Sequence, residues 1–245
     1  MLCYTSDTES PHYRLCVPKV FRRIVLQECH DSLWSGAHLG KTKTIDKINQ
    51  RYYFRNMHRY VSLWISTCST CQAIKRKVPN KEKIPLGVIE ANFVGDLLSI
   101  DIWDAGATSV SGYQYVLTCI DGFSKWVTAI PLRNKKANTV ARALYERVFT
   151  LGHPARLHSD QGPEFINETL EELCKLFIIN KSMTTAYHPQ GNAYAERIHQ
   201  FFKNALSAFV RHDQRDWDVY LPALINVYQD SIHESLGGYS PSQVM

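Results

Sequence analysis

Three observations predict an α/β chain of the α+β kind, a mixed sheet with flanking helices behind a small helical unit. Residues 97–131 hold three strand-like runs in a meander, at 97–103, 113–120 and 126–131. A further strand-like run at 155–158 is interleaved with helical patterns at 138–149, 167–176, 192–211 and 217–233. Ahead of these, a helix-patterned stretch carries two His and two Cys, and the charged, Pro/Gly-bearing segment KRKVPNKEKIPLG separates it from the strands.

Each element has a local reason. In the front unit Ile45, Ile48, Tyr52, Val61, Trp64 and Ile65 recur at near-helical spacing. Ser111-Gly112 suits a turn between the first two strands, and Asp121-Gly122 one between the second and third. Within 192–211, Ile198, Phe201, Phe202, Ala205 and Phe209 mark a buried side, while Glu196, His199, Gln200 and Lys203 share the opposite face. The sequence shows no internal repeat and no low-complexity segment.

Composition narrows the class. A hydrophobic share of 44% with 21% charged residues is globular rather than disordered. No apolar run approaches the roughly 18–20 residues that span a bilayer, and the first residues lack a basic-then-apolar leader, so a soluble intracellular protein is expected. The net charge of +5 is unevenly spread. Residues 1–87 hold 15 Lys/Arg against 6 Asp/Glu, a balance of +9, whereas residues 88–245 hold 13 against 17, a balance of −4. A basic front half suits an anionic partner such as nucleic acid, with Lys75, Arg76 and Lys77 as candidate phosphate contacts.

Seven cysteines are scattered, and only Cys68 and Cys71 form a close pair. With His30 and His38 they give H-x7-H, 29 intervening residues, then C-x2-C. Zinc takes four such donors in a tetrahedron, and a CxxC turn supplies two thiolates from one tight loop. Cys29, beside His30, is the alternative ligand. A unit this small has little core, so its ion would contribute folding energy directly. Cys3, Cys16, Cys119, Cys174, His12 and His58 read as ordinary structural or surface residues.

Three carboxylates form the second constellation. Asp160 follows the run at 155–158 in HSDQGPEF, and Glu196 follows the HPQGN turn, on the first turn of a helix, with 35 residues between the two acids. Asp101 lies mid-strand between Ile100 and Ile102, where a carboxylate is costly unless paired or metal-bound. Asp96 and Asp104 sit at the ends of that run, and Asp121 suits a turn. Three acids facing one cleft would hold two divalent cations, and the polar face from Glu196 through His199 and Gln200 to Lys203 would track a phosphate backbone.

SIDIW, YVLTCIDGFSKWVTAIPL, HSDQGPEFINETLEELCKLF, TTAYHPQGNAYAERIHQFFKNAL and the His/Cys module together resemble the integrases of gypsy-type LTR retrotransposons, relatives of retroviral integrases. The likeness covers about residues 14–245. It implies an RNase H-like five-stranded mixed sheet, and a division into an N-terminal segment with a zinc-binding helical domain at 1–78, a linker at 79–90 and a catalytic core at 91–245. It implies a triad of Asp101, Asp160 and Glu196 holding two magnesium or manganese ions, and one structural zinc on His30, His38, Cys68 and Cys71. The implied activity is trimming of element DNA ends and their transfer to target double-stranded DNA, by a homo-oligomer acting in the nucleus. NAYA stands where the family often has a Gly-Gln-Thr-type run. The chain ends at Met245, so the family's C-terminal DNA-binding region is expected to be absent. The alternative reading is a domesticated or truncated integrase-derived protein that binds nucleic acid or protein without catalysis.

Overall fold

The computed structural model describes residues 3–5, 13–74, 90–183, 193–210 and 213–245, and side chains for all of these but 3–5, 151 and 193–197. Lys75, Arg76 and Lys77 lie outside the described residues.

The front unit is not purely helical, as the sequence pattern suggested. β1 (Cys3–Thr5) pairs antiparallel with β2 (Tyr13–Cys16), and β2 pairs parallel with β3 (Tyr52–Tyr53). α1 (Arg22–Leu26) runs on into a single π-turn at Gln27–Asp31. The apolar spacing from Ile45 to Ile65 belongs to two helices, α2 (Lys41–Arg51) and α3 (Met57–Thr67), followed by α4 (Ser69–Ile74). The break is local. Tyr52 and Tyr53 leave the helix to pair with β2, and Asn56 takes a left-handed φ of 62° just before α3, a conformation Asn tolerates better than most residues. Val25, Leu26, Ile45, Ile48, Phe54 and Val61 form a small core of their own.

The second unit is a five-stranded sheet in the order β6-β5-β4-β7-β8. β4 (Leu97–Asp104), β5 (Tyr115–Asp121) and β6 (Val127–Leu132) form the expected antiparallel meander, and β7 (Arg156–Ser159) and β8 (Asn180–Met183) add in parallel. The sequence did not mark β8, whose residues NKSM are polar and mostly exposed at the sheet edge, so no apolar alternation announces it. Asp121 caps its turn as expected, accepting from the Ser124 backbone N–H and hydroxyl and from the Gly95 N–H.

Helices cover both faces. Alternation along β4 sends Ile100 and Ile102 toward α5 (Ala137–Ala143) and α6 (Glu168–Leu176), where Leu117, Val140, Leu144, Leu157 and Leu170 join them. Trp103 goes to the other face with Val116 and Ile120, against α7 (Ala193–Phe209) and α8 (Trp217–Gln229), represented by Ile198, Phe202, Leu221 and Leu224. Asp101 shares the Trp103 face by the same alternation, and that is what points it at α7. The chain closes with α9 (Pro241–Val244), started by a Ser240/Gln243 capping box.

The two units touch. Ala37 and Leu39 of the front unit belong to the same buried cluster as Ile198, Phe202, Ala205 and Leu206 of α7. The His38 ring lies 5.5 Å from that of Phe209, and the Lys43 ammonium sits 5.4 Å above the Tyr228 ring. No described helix is long and apolar enough to cross a membrane.

Candidate metal centre and active site

The seven residues between His30 and His38 fold back on themselves. Gly36 and Ala37 donate to the Ser32 carbonyl and His38 donates to the His30 carbonyl at 2.8 Å, which returns the second imidazole to the first. The return needs glycine, because a Cβ at Gly36 would lie 2.3 Å from the His30 backbone carbon. Ala37 and His38 then take left-handed φ values of 46° and 51°. Cys68 ends α3, and one turn later Cys71 in α4 faces the same point.

The four donor atoms lie within 4.8 Å of one another. Cys68 Sγ is 3.4 Å from His38 Nδ1, Cys71 Sγ is 3.4 Å from His30 Nε2, and Cys71 Sγ is 3.8 Å from His38 Nδ1. Bond lengths to zinc of about 2.05 Å for nitrogen and 2.3 Å for sulfur give a tetrahedral N–S edge of about 3.5 Å, so the donor set and its spacing fit one such ion. His30 is fully buried, and the Thr44 hydroxyl lies 3.5 Å from its other ring nitrogen. Thr44 escaped the sequence reading; a Thr on the apolar face of α2 was its only signal. Cys29 stands outside the cluster, and burial, with the Glu28 charge, pushes its thiol up to about 11.

Asp101 is half-buried on β4, with its Oδ1 accepting from the Ile102 N–H at 2.8 Å. β4 and β7 run parallel with Ser99 opposite His158. Continuing that register by two residues sets Asp160 beside Asp101, just past the end of β7. There Asp160 Oδ1 accepts from the Gly162 N–H at 3.0 Å in an Asx-type turn. A Cβ at Gly162 would lie 3.1 Å from both Asp160 Oδ1 and Glu164 Oε2, so the glycine leaves room for two carboxylates. Glu164, which the sequence reading passed over, pairs with Lys135 at 3.4 Å and keeps Oε2 buried. Glu196 is the fourth residue of α7, in its first turn, and its side chain lies outside the described residues.

One expectation is corrected here. His199 does not join a solvent-facing polar stripe on α7, because its ring is buried with Nδ1 3.4 Å from Asp101 Oδ2 and its centroid 5.8 Å from that of Trp103. Helix α7 packs on β4 and β5 on the Asp101 face of the sheet, and His199 is turned toward that face. The exposed polar face is Gln200 and Lys203, with the Lys203 ammonium 5.8 Å above Trp103 and the Gln200 amide donating to Asn204. Burial, and the positive charge of Lys203, push the His199 imidazole down to about 4. A neutral ring facing a carboxylate is therefore the state at neutral pH. A groove of about 680 Å³ opens beside it, lined by Trp103, Lys203, Leu206, Val210 and Trp217.

Known proteins match both units. The integrase zinc binding domain family covers residues 17–77, and the integrase core domain family covers residues 92–189. The chain is 31% identical, over 86% of its length, to the retrovirus-related Pol polyprotein from transposon 412 of Drosophila melanogaster, and spans 17% of that protein. It is 30% identical over 83% of its length to Gypsy retrotransposon integrase-like protein 1 of Bos taurus, spanning 40% of it. Among solved structures, a chain of the simian T-cell lymphotropic virus intasome in complex with PP2A regulatory subunit B56 gamma superposes with a TM-score of 0.58 over 85% of this chain and 69% of its own, at 15% identity. The magnesium complex of the HTLV-2 integrase catalytic core domain does so with a TM-score of 0.51 over 63% of this chain and 99% of its own, at 18% identity.

The chain belongs to the integrase family, with an integrase zinc binding domain followed by an integrase core domain. Its named relatives include both transposon polyproteins and mammalian integrase-like proteins, and it spans under half of either.

Proposed function

We propose that the chain is a retrotransposon integrase that processes the ends of element DNA and joins them to target double-stranded DNA. The observation that supports the reading is the parallel β4–β7 register with Ser99 opposite His158, which, extended by two residues, would set Asp160 next to Asp101 on the sheet face against which α7, the helix that holds Glu196, packs. Asp101, Asp160 and Glu196 are the residues to hold two magnesium or manganese ions, which would activate an attacking oxygen and neutralise charge on the leaving one. The protein's own share is positioning and charge. Asp101 is braced by the Ile102 N–H and Asp160 by the Gly162 N–H, so neither carboxylate has to be recruited from solvent. Gln200 and Lys203 present an amide and a cation on the exposed flank of α7, beside the acids, where a phosphate backbone would run. His30, His38, Cys68 and Cys71 would hold one structural zinc.

A homo-oligomer working in the nucleus completes the proposal. The test is strand transfer by Asp160→Asn. Loss of magnesium- or manganese-dependent joining to background with DNA binding retained is expected, and retained joining would remove Asp160 from the site. A second reading keeps nucleic-acid or protein binding without catalysis; the likeness to mammalian proteins named integrase-like, rather than polyprotein, is on its side. DNA binding without joining by the unaltered chain would favour it.

A further inference from the structure

His199 is the described side chain through which the catalytic helix reaches the strand acid. Its Nδ1 stands 3.4 Å from Asp101 Oδ2, the side chain is only 11% exposed, and Nε2 is buried with no hydrogen-bond partner. The ring cannot swing away freely. It rests against the Trp103 indole, and that indole is itself held by a 3.1 Å hydrogen bond from Nε1 to the Thr118 hydroxyl. Thr118 is fully buried and pairs across the β4–β5 ladder with Asp101 itself. Asp101, Thr118, Trp103 and His199 thus close a ring of contacts around one carboxylate. Asp101 Oδ1 is already taken by the Ile102 N–H, which leaves Oδ2 as the oxygen His199 addresses.

We propose that His199 is a positioning residue that sets the orientation of the Asp101 carboxylate for cation binding, tying the pitch of α7, and with it Glu196, to the central strand. The proposal rests on the reading of Asp101 as a metal ligand. At 3.4 Å an imidazole carrying its proton on Nδ1 can hold the carboxylate in one rotamer while occupying a single lone pair of Oδ2, and a cation then meets a fixed carboxylate rather than a rotating one. The geometry also says which substitute should work. An Asn amide nitrogen lies about where Nδ1 lies, whereas a Gln amide nitrogen extends to the Nε2 position, away from Asp101.

The experiment uses the full chain and titrates manganese by calorimetry in the unaltered protein and in His199→Asn, His199→Gln, His199→Leu and Asp101→Asn, with thermal melting and DNA affinity measured alongside. Expected are near-normal manganese affinity in His199→Asn and a five- to twenty-fold loss in both His199→Gln and His199→Leu. DNA affinity should stay unchanged in all three. Equal affinity across the three His199 variants would overturn the positioning role, and so would a loss in Gln and Leu that Asn does not relieve. A variant that melts early is judged by the Asn-to-Gln difference, since the two share a polar amide and differ by one methylene in reach. If Asp101→Asn binds manganese as well as the unaltered chain does, the metal-site reading itself fails, and the inference with it.

Discussion

At the scale of single residues, the chain's chemistry depends on where burial places ionisable groups. His199 and His233 are both held down to about 4, chiefly by burial, and burial also lowers His158. His199 and His233 stay neutral in the native state below the pH at which the unfolded chain's histidines protonate, near 6.5. The unfolded chain therefore binds more protons between about pH 6.5 and 4, and the stability these groups contribute is complete above that window and lost as pH falls through it. Thermal melting between pH 7.5 and 5 should show a drop of several degrees, taking His199 and His233 as worth on the order of 1 kcal/mol each, or about 2–4 °C. His233→Gln should reduce the drop, and a melting temperature flat across that range would show that these rings are accessible to protons. Asp101 was legible in the sequence because a carboxylate between two isoleucines is out of place unless something binds it. The inward turn of His199 was not, since helical spacing gives the neighbours along a helix and not the angle at which the helix meets the sheet.

Helices and strands show the same division. The β4–β5–β6 meander, α6 with its Asn167 side-chain cap, and α7 could all be read from pattern and turn residues. The edge strand β8 and the break between α2 and α3 could not, because both are set by partners distant in sequence, β7 in one case and β2 in the other. The loop from His30 to His38 also ties the two units together. The sequence suggests a module whose metal could be removed while the core stays intact, but Ala37 and Leu39 pack within the cluster that backs α7, and His38 meets Phe209. Chelation should therefore unfold the front helices and also lower the melting temperature of the core, since a structural zinc contributes on the order of 10 kcal/mol to such folds. Tryptophan fluorescence with circular dichroism would follow both changes; a core that melts at the same temperature after chelation would mean that the docking carries no energy. On the exposed flank of α7, Lys203→Ala should weaken DNA binding and lower the slope of log affinity against log salt by about 0.9, the value for one lost phosphate contact. An unchanged slope would take Lys203 off the DNA path.

For the whole molecule, the two units differ first in charge. The front unit and the segment after it carry the basic excess, and the core carries the acids, as the sequence halves of +9 and −4 already show. If the acids act on DNA as proposed, an anionic duplex approaching them would need the positive field of the first to offset the repulsion of the second. That opposition would give a reason for a basic module fixed against α7. The order of the motifs made the family recognisable. What sequence could not give is the docking of one unit on the other, which depends on Ala37, Leu39 and Lys43, residues that carry no motif at all.

The central claim is that Asp101, Asp160 and Glu196 form one working metal site. Strand transfer with oligonucleotides that carry the element's end sequences, comparing the unaltered chain with Glu196→Gln at matched DNA occupancy in magnesium or manganese, tests it most directly. Joined product is expected from the unaltered chain and none above background from Glu196→Gln, with equal DNA binding. Equal joining by the two proteins, or no joining by the unaltered chain despite bound DNA and metal, would contradict it.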